Sequence, residues 1–426
     1  MAKPALGAEG TVLVAIDVAK IRNEVLVQLV DGTHKSFKVA NNIQDYRNFS
    51  GYLQSLKCPC VIGFEATGDY HRPLAYYLQK EGFGLRLISS LAIARTREAM
   101  YNTWDKNDPK DCRAILHMLR TGVTQTYCNP IVSNDVQEMS GTYGQISLRK
   151  VRVYHTILTH FLPLYFPEAE KYLHNSRSEW FFSFLLKFSS PVLIRKHSKE
   201  EFIKVAWDLV GRKREGNRKS WLADFYDAAV QSIGLPVDEK SEAIRMFRLV
   251  LQEYVDLCRL RVEIEKRANC YLENNPDCQR LQTIPGIGPI GALTILAEAG
   301  DLRRFSHYKK FLKYCGLDLC TQQSGQYRGV TRLSKRGNSR LRCVFWMAAA
   351  VAVRMRENTF RGKYENYIRT DPGNKDLKRK AYVAVAAKMA RVAYSLVKSG
   401  SDYRCFHESA IPGGKIPSTR AVEAIY

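Results

Sequence analysis

Two apolar runs, each broken by one acid, constrain this chain more than any other feature. Residues 12–20 read VLVAIDVAK and residues 61–68 read VIGFEATG. Both have the apolar pattern of a buried strand. Each carries a carboxylate, Asp17 or Glu65, at its centre or C-terminal end. An unpaired charge in such a strand is costly, so both acids need a partner, and a bound cation would serve. For either acid alone, the ordinary alternative is a turn cap or a pair with Lys20.

The neighbouring segments fix the architecture. TVLVAIDVAK, EVLVQLVDG and THKSFKVAN read as three strands, the second ending in an Asp-Gly turn. IQDYRNFSGYLQSL has helical spacing, with Ile43, Tyr46, Phe49 and Leu53 on one face. CPCVIGFEATG is a fourth strand, HRPLAYYLQKEG a helix closed by Gly82, and GLRLIS a fifth strand. DPKDCRAILHMLRTG is a further helix ending at Gly122. This order predicts an α/β domain over residues 1–128: a mixed sheet with helices on its faces, because parallel strands need crossovers.

Residues 129–278 read as a helical linker with an insertion. LRKVRVYHTILTHFLPLYFP and EWFFSFLLKF are aromatic-rich, and GRKREGNRKS reads as a basic loop. Across residues 238–275 the helical pattern is unbroken. Ile244, Phe247, Leu251, Tyr254 and Cys258 recur at the three-four spacing of a coiled-coil seam. A long arm pairing with another protomer is expected; a helix buried in one domain is the alternative. A mostly helical domain follows over residues 279–400, then a tail over 401–426.

The chain has 65 Lys and Arg against 42 Asp and Glu, a net charge of +23. Such a surplus attracts polyanions, nucleic acid first among them. The 11 cysteines are scattered, and Cys58-Pro-Cys60 is too closely spaced for a zinc ribbon, so free thiols and no structural zinc are expected. No segment approaches the roughly 18–20 uncharged apolar residues of a bilayer span. The start, MAKPALGAEG, lacks an export signal's layout. A cytoplasmic protein without membrane partners is expected.

Asp108 and Asp111, in KNDPKDCRAI, are three apart and share a helix face. They also suit the N-cap and capping-box positions, with Pro109 at the first helical position. The two roles are compatible, and Asp105 is a weaker competitor. With Asp17 and Glu65 they make four acids at one sheet edge, the kind of convergence that two-metal phosphoryl chemistry requires.

Further on, PGIGPIGALTILAEAG has the form of a helix-hairpin-helix. Pro285, Gly286 and Gly288 permit a tight turn whose N–H groups face a phosphate. A Gly-rich turn between core helices is the alternative. Ser324-Gly325 then precedes Arg328, Arg332, Lys335, Arg336, Arg340 and Arg342, the pattern of a basic loop tracking a nucleic-acid backbone. No His lies alongside Ser324 to activate it.

IDVAK, FEATGDYH and KNDPKD resemble the acidic motifs of the DEDD transposases of the IS one-ten insertion-sequence family, which includes the Piv-type DNA invertases. PGIGPIGALTILAEAGDLRRF, YCGL, SG and LSKRGNSRLR resemble that family's C-terminal transposase domain, in the same order. Residues 160–235 depart from the family pattern as an enlargement. The resemblance implies a RuvC-like, ribonuclease H-like first domain with Asp17, Glu65, Asp108 and Asp111 as its Mg²⁺-binding tetrad. It implies Ser324 as a nucleophile forming a covalent phosphoserine, with Ser334 as the rival assignment. It further implies double-stranded DNA as substrate and a structured non-coding guide RNA as partner. A homodimer assembling to a tetramer, nucleoid-associated when on DNA, completes the expectation. A metal-dependent junction resolvase or ribonuclease H-like nuclease without a covalent intermediate is the alternative.

Overall fold

In the computed structural model the described residues are 10–66, 68–102, 105, 108–127, 134–173, 179–210, 215–321, 323–324, 327–356 and 358–405, with Glu215, Tyr327 and Arg328 described by backbone alone. The chain divides into two compact units, Met1–Ile131 and Val132–Tyr426.

The first unit contains β1 (Val12–Asp17), β2 (Arg22–Gln28), β3 (His34–Ala40), α1 (Ile43–Ser55), β4 (Cys60–Glu65), α2 (His71–Lys80), β5 (Gly84–Ile88), α3 (Ser90–Tyr101), α4 (Asp108–Arg120) and β6 (Gln125–Thr126). Its sheet has the order β3-β2-β1-β4-β5-β6. The pairs β1–β2, β2–β3 and β5–β6 are antiparallel, while β1–β4 and β4–β5 are parallel. This is the expected mixed sheet, and it fits a ribonuclease H-like α/β fold. Two details differ from expectation. Ile43 is 54% exposed, so the buried face of α1 runs through Tyr46, Phe49, Ser50 and Leu53. Helix α3 was not legible, because SLAIARTREAMY buries only Ile93 and Arg97.

Alternation along β1 separates two cores. Val12, Val14 and Ile16 join Tyr46, Phe49, Leu53, Leu74 and Leu78 on the α1/α2 face. Leu13 and Ala15 join Ile93, Cys112, Ile115 and Leu119 on the α3/α4 face. Burying each large apolar side chain contributes about 1.5–3 kcal/mol, so the register cannot slip without exposing both sets. Gly63 of β4 lies under α4: a Cβ there would stand 2.7 Å from Leu119 Cδ2.

The second unit begins with α5 (Asn134–Thr156), the short α6 (Leu162–Tyr165), α7 (Glu179–Lys187), α8 (Pro191–Arg195), α9 (Lys199–Ala206), α10 (Glu215–Val230) and α11 (Glu242–Leu272). These enclose an aromatic core in which Phe161 stacks on Phe247 at 5.1 Å and Phe182 meets Tyr254 at 4.0 Å. The expected seam of α11, Ile244, Phe247, Leu251, Tyr254 and Cys258, is buried. It is filled from within the chain, chiefly by α5 and α7, rather than left open for another protomer. The basic loop read in GRKREGNRKS is helical from Glu215 onward. Its backbone continues the turn that buries Trp221, Leu222 and Phe225.

The remainder comprises α12 (Pro276–Gln282), α13 (Pro289–Ala299), α14 (Tyr308–Cys315), β7 (Leu319–Cys320), β8 (Gln323–Ser324), β9 (Tyr327–Arg328), β10 (Arg332–Leu333), α15 (Ser339–Ala352), α16 (Thr359–Ile368) and α17 (Lys375–Ser399). Leu281, Leu293, Phe311, Phe345, Val385 and Met389 share its core with Ala268 and Leu272 of α11. Among the described residues no helix is long and apolar enough to cross a membrane.

Candidate functional site

Strand register assembles the acids of the first unit. Ile16 of β1 is level with Phe64 of β4, so Asp17 and Glu65 follow side by side, on parallel strands about 4.8 Å apart. Asp17 has the parity of Leu13 and Ala15, and Glu65 that of Gly63, so both belong to the face that α4 covers. Antiparallel pairing adds Glu24 of β2 opposite Asp17, and Lys38 of β3 opposite Glu24. One row therefore crosses the sheet as Lys38, Glu24, Asp17, Glu65, closed at one end by a Lys38–Glu24 ion pair of 3.4 Å.

Glu24 was not among the sequence candidates. Its signal was the hairpin register, since a strand starting at this acid and turning back on β1 sets it against Asp17. Side-by-side carboxylates repel unless a cation intervenes, and the ends of parallel strands are where ligands of α/β sheets bind.

Helix α4 brings the other two acids, and they part company. Asp108 opens the helix and is exposed. Asp111 is buried, its side chain 2% exposed and ion-paired with Arg97 of α3. Arg97 was also missed, because nothing in the α3 sequence marks it as a partner. Asp105 pairs with Lys110 at 2.6 Å. Cys112 reports on the neighbourhood. Its Sγ donates to the Glu24 carbonyl at 3.4 Å, and burial, with the charges of Asp17, Glu24 and Asp108 adding to it, pushes its thiol up to about 12. Asp17, Glu24 and Asp108 thus share one locality around this thiol.

Carboxylate oxygens suit a hard divalent cation, and DEDD transposases in general depend on one. The fit here is one of donor type and row placement. Among the described residues no three His, Cys, Asp or Glu side chains are drawn together closely enough to hold an ion, and Asp111 is engaged by Arg97.

In the second unit the glycines of the PGIG turn have different work. Gly286 has φ +90°, and a Cβ there would come within 2.2 Å of the Ala348 carbonyl of α15, so its bareness serves helix packing. Gly288 is exposed, has open space around it and caps the N-terminus of α13. Ser324 is exposed in β8, level with Tyr327 of β9; Gly325 lies outside the described residues. Ser334 is half-buried, and its Oγ accepts from Arg336 N at 3.1 Å.

Arg332, Lys335 and Arg336 are exposed, and Arg328 is described by backbone alone. Arg340 is exposed too but engaged within the chain, pairing with Glu298 at 2.5 Å and donating to the Ser140 carbonyl at 2.7 Å. It joins α15 to α13 and α5, a role that two partners distant in sequence conceal.

Two family models match the chain. A transposase model of the DEDD type covers residues 14–167, and that of the transposase IS116/IS110/IS902 family covers 278–365. The transposase for insertion sequence element IS1111A of Coxiella burnetii is 30% identical over 178 residues, 40% of this chain and 48% of that protein. The transposase for IS1328 of Yersinia enterocolitica is 28% identical over 162 residues, 37% of this chain and 47% of that protein. The matched stretch thus spans about half the length of these relatives. An insertion element IS110 protein of Streptomyces coelicolor, 22% identical over 338 residues, is matched over 79% of its length. Both matched stretches, in the order their motifs require, agree on one likeness: the chain is similar to transposases of the IS110 family of insertion elements.

Proposed function

We propose that this chain cuts and rejoins the DNA of an insertion element. The observation that carries the reading is the row of carboxylates under α4, with Asp17 and Glu65 at the ends of β1 and β4 and Glu24 of β2 beside Asp17. Asp17, Glu65 and Asp108 would hold a divalent ion, Mg²⁺ in this reading, with Asp111 joining by exchange from Arg97. Bound there, the ion stabilises charge developing on the transferring phosphate and leaving oxygen.

The remaining chemistry belongs to the chain. Arg332, Lys335 and Arg336, with the α13 start at Gly288, hold backbone phosphates without reading sequence. Ser324 Oγ attacks a scissile phosphorus. The serine–phosphate bond forms as the phosphorus–oxygen bond to the leaving strand breaks; the serine proton passes to solvent, and the leaving oxygen takes one up. A hydroxyl of the other DNA end reverses the step, rejoining DNA and freeing the serine. The exposure of Ser324 and the engagement of the Ser334 hydroxyl support Ser324 over its rival. A structured non-coding RNA would choose the DNA by base pairing while protein cations hold the backbones. Homodimers assembling to a tetramer would bring two DNAs together.

Denaturing gels of protein incubated with its element's labelled ends, RNA and Mg²⁺ test the reading. A protein–DNA adduct is expected that survives Ser334→Ala and disappears in Ser324→Ala. Cutting that persists unchanged in Ser324→Ala would mean a hydrolytic nuclease instead.

A further inference from the structure

We propose that a cavity beside the basic loop of the second unit receives one unstacked base of the DNA strand which that loop carries. The proposal rests on the DNA-acting function above and adds a binding site to it. The cavity measures about 290 Å³, and its lining includes Leu317, Leu333, Val383 and Trp346 together with the cations Lys335 and Arg342. Ligand pockets start at about 300 Å³, so this one suits a single ring system.

Its chemistry is that of a nucleotide seat. Trp346 is 41% exposed, an unusual position for an indole, and offers a face for stacking. The ring of Tyr382 lies 5.9 Å from it, and that of Tyr364 4.8 Å from Tyr382, so the aromatic surface continues past the cavity. Lys335, exposed and at φ +55°, is fixed in this turn by Arg342, whose Nη1 donates to the carbonyls of Lys335 and Cys315 at 3.3 Å each. Ser339, also in the lining, is the first residue of the 14-residue α15. Its N–H has no carbonyl of its own helix to bond and suits a phosphate. An apolar slot with a stacking face, bordered by a cation and a helix start, matches a base with its phosphate. A purely apolar ligand would leave the charges unused.

The test uses the full chain with two DNA duplexes, one plain and one carrying a single extrahelical 2-aminopurine. Binding is followed by anisotropy and by base fluorescence. The bulged duplex is expected to bind about tenfold tighter, as stacking of one base allows, with its fluorescence quenched. Trp346→Leu should abolish both effects while binding the plain duplex as the unaltered chain does; Trp346→Phe should retain them. Equal affinity for the two duplexes, quenching that survives Trp346→Leu, or quenching only when the bulged strand is RNA would overturn the proposal. Failure to bind the plain duplex would instead overturn the DNA reading on which it rests.

Discussion

At the scale of single residues the site turns on which acids are already satisfied. Asp111 and Arg97 form a buried pair, with side chains 2% and 11% exposed. Removing one partner of such a pair leaves the other charged and desolvated, at a cost of about 3–5 kcal/mol. Arg97→Met should lose that much stability in urea unfolding, and Arg97→Met with Asp111→Leu should recover most of it. A loss below about 1 kcal/mol in the single variant would place the pair at a solvated surface instead.

Cys112 makes a second prediction. Its folded thiol is raised from 9.0 to about 12, so its neutral form contributes stability that is complete below pH 9 and lost as pH rises toward 12. At pH 8 a thiol reagent should label exposed Cys320 and Cys343 and reach Cys112 only after unfolding; prompt labelling of Cys112 would contradict its burial. Asp17 and Glu65 were legible because an acid breaking an apolar run shows itself without knowledge of partners. Arg97, Glu24 and the pairing of Arg340 with Glu298 were not, because each is defined by a residue that only the fold brings near.

At the scale of elements, the sheet and most helices of the first unit followed from periodicity and Gly punctuation, since each strand buries alternate residues in a different core. The exception, α3, has too thin an apolar stripe to read. Close approach separates the two glycines of the PGIG turn. Gly286→Ala combines a left-handed φ with a 2.2 Å clash against backbone and should lower the melting temperature sharply. Gly288→Ala meets nothing within 4 Å and should change it little. Equal effects would mean that the turn does not seat on α15. The seam of α11 was correctly spaced but its partner was not legible, because three-four spacing describes any buried helix face. Phe247 is fully buried, so Phe247→Ala should cost about 3–5 kcal/mol of stability and leave the sedimentation coefficient of the folded protein unchanged. Dissociation without loss of stability would restore the intermolecular seam.

For the whole molecule, the net charge of +23 and the two matched ends support the proposed action on nucleic acid, while the aromatic helical core lies largely between residues 167 and 278, outside both family matches. Aromatic runs announced that core, but its packing depends on side-chain shape rather than periodicity. The central claim is that acids from β1, β4 and the start of α4 serve one cation. Iron-directed cleavage tests it most directly: Fe²⁺ bound to the full chain generates radicals that cut the backbone nearby, and mass spectrometry locates the cuts. Cuts are predicted near Asp17, Glu65 and Asp108 together, all lost in Asp17→Asn. Cuts at only one of these places, or a pattern unchanged in Asp17→Asn, would contradict the account.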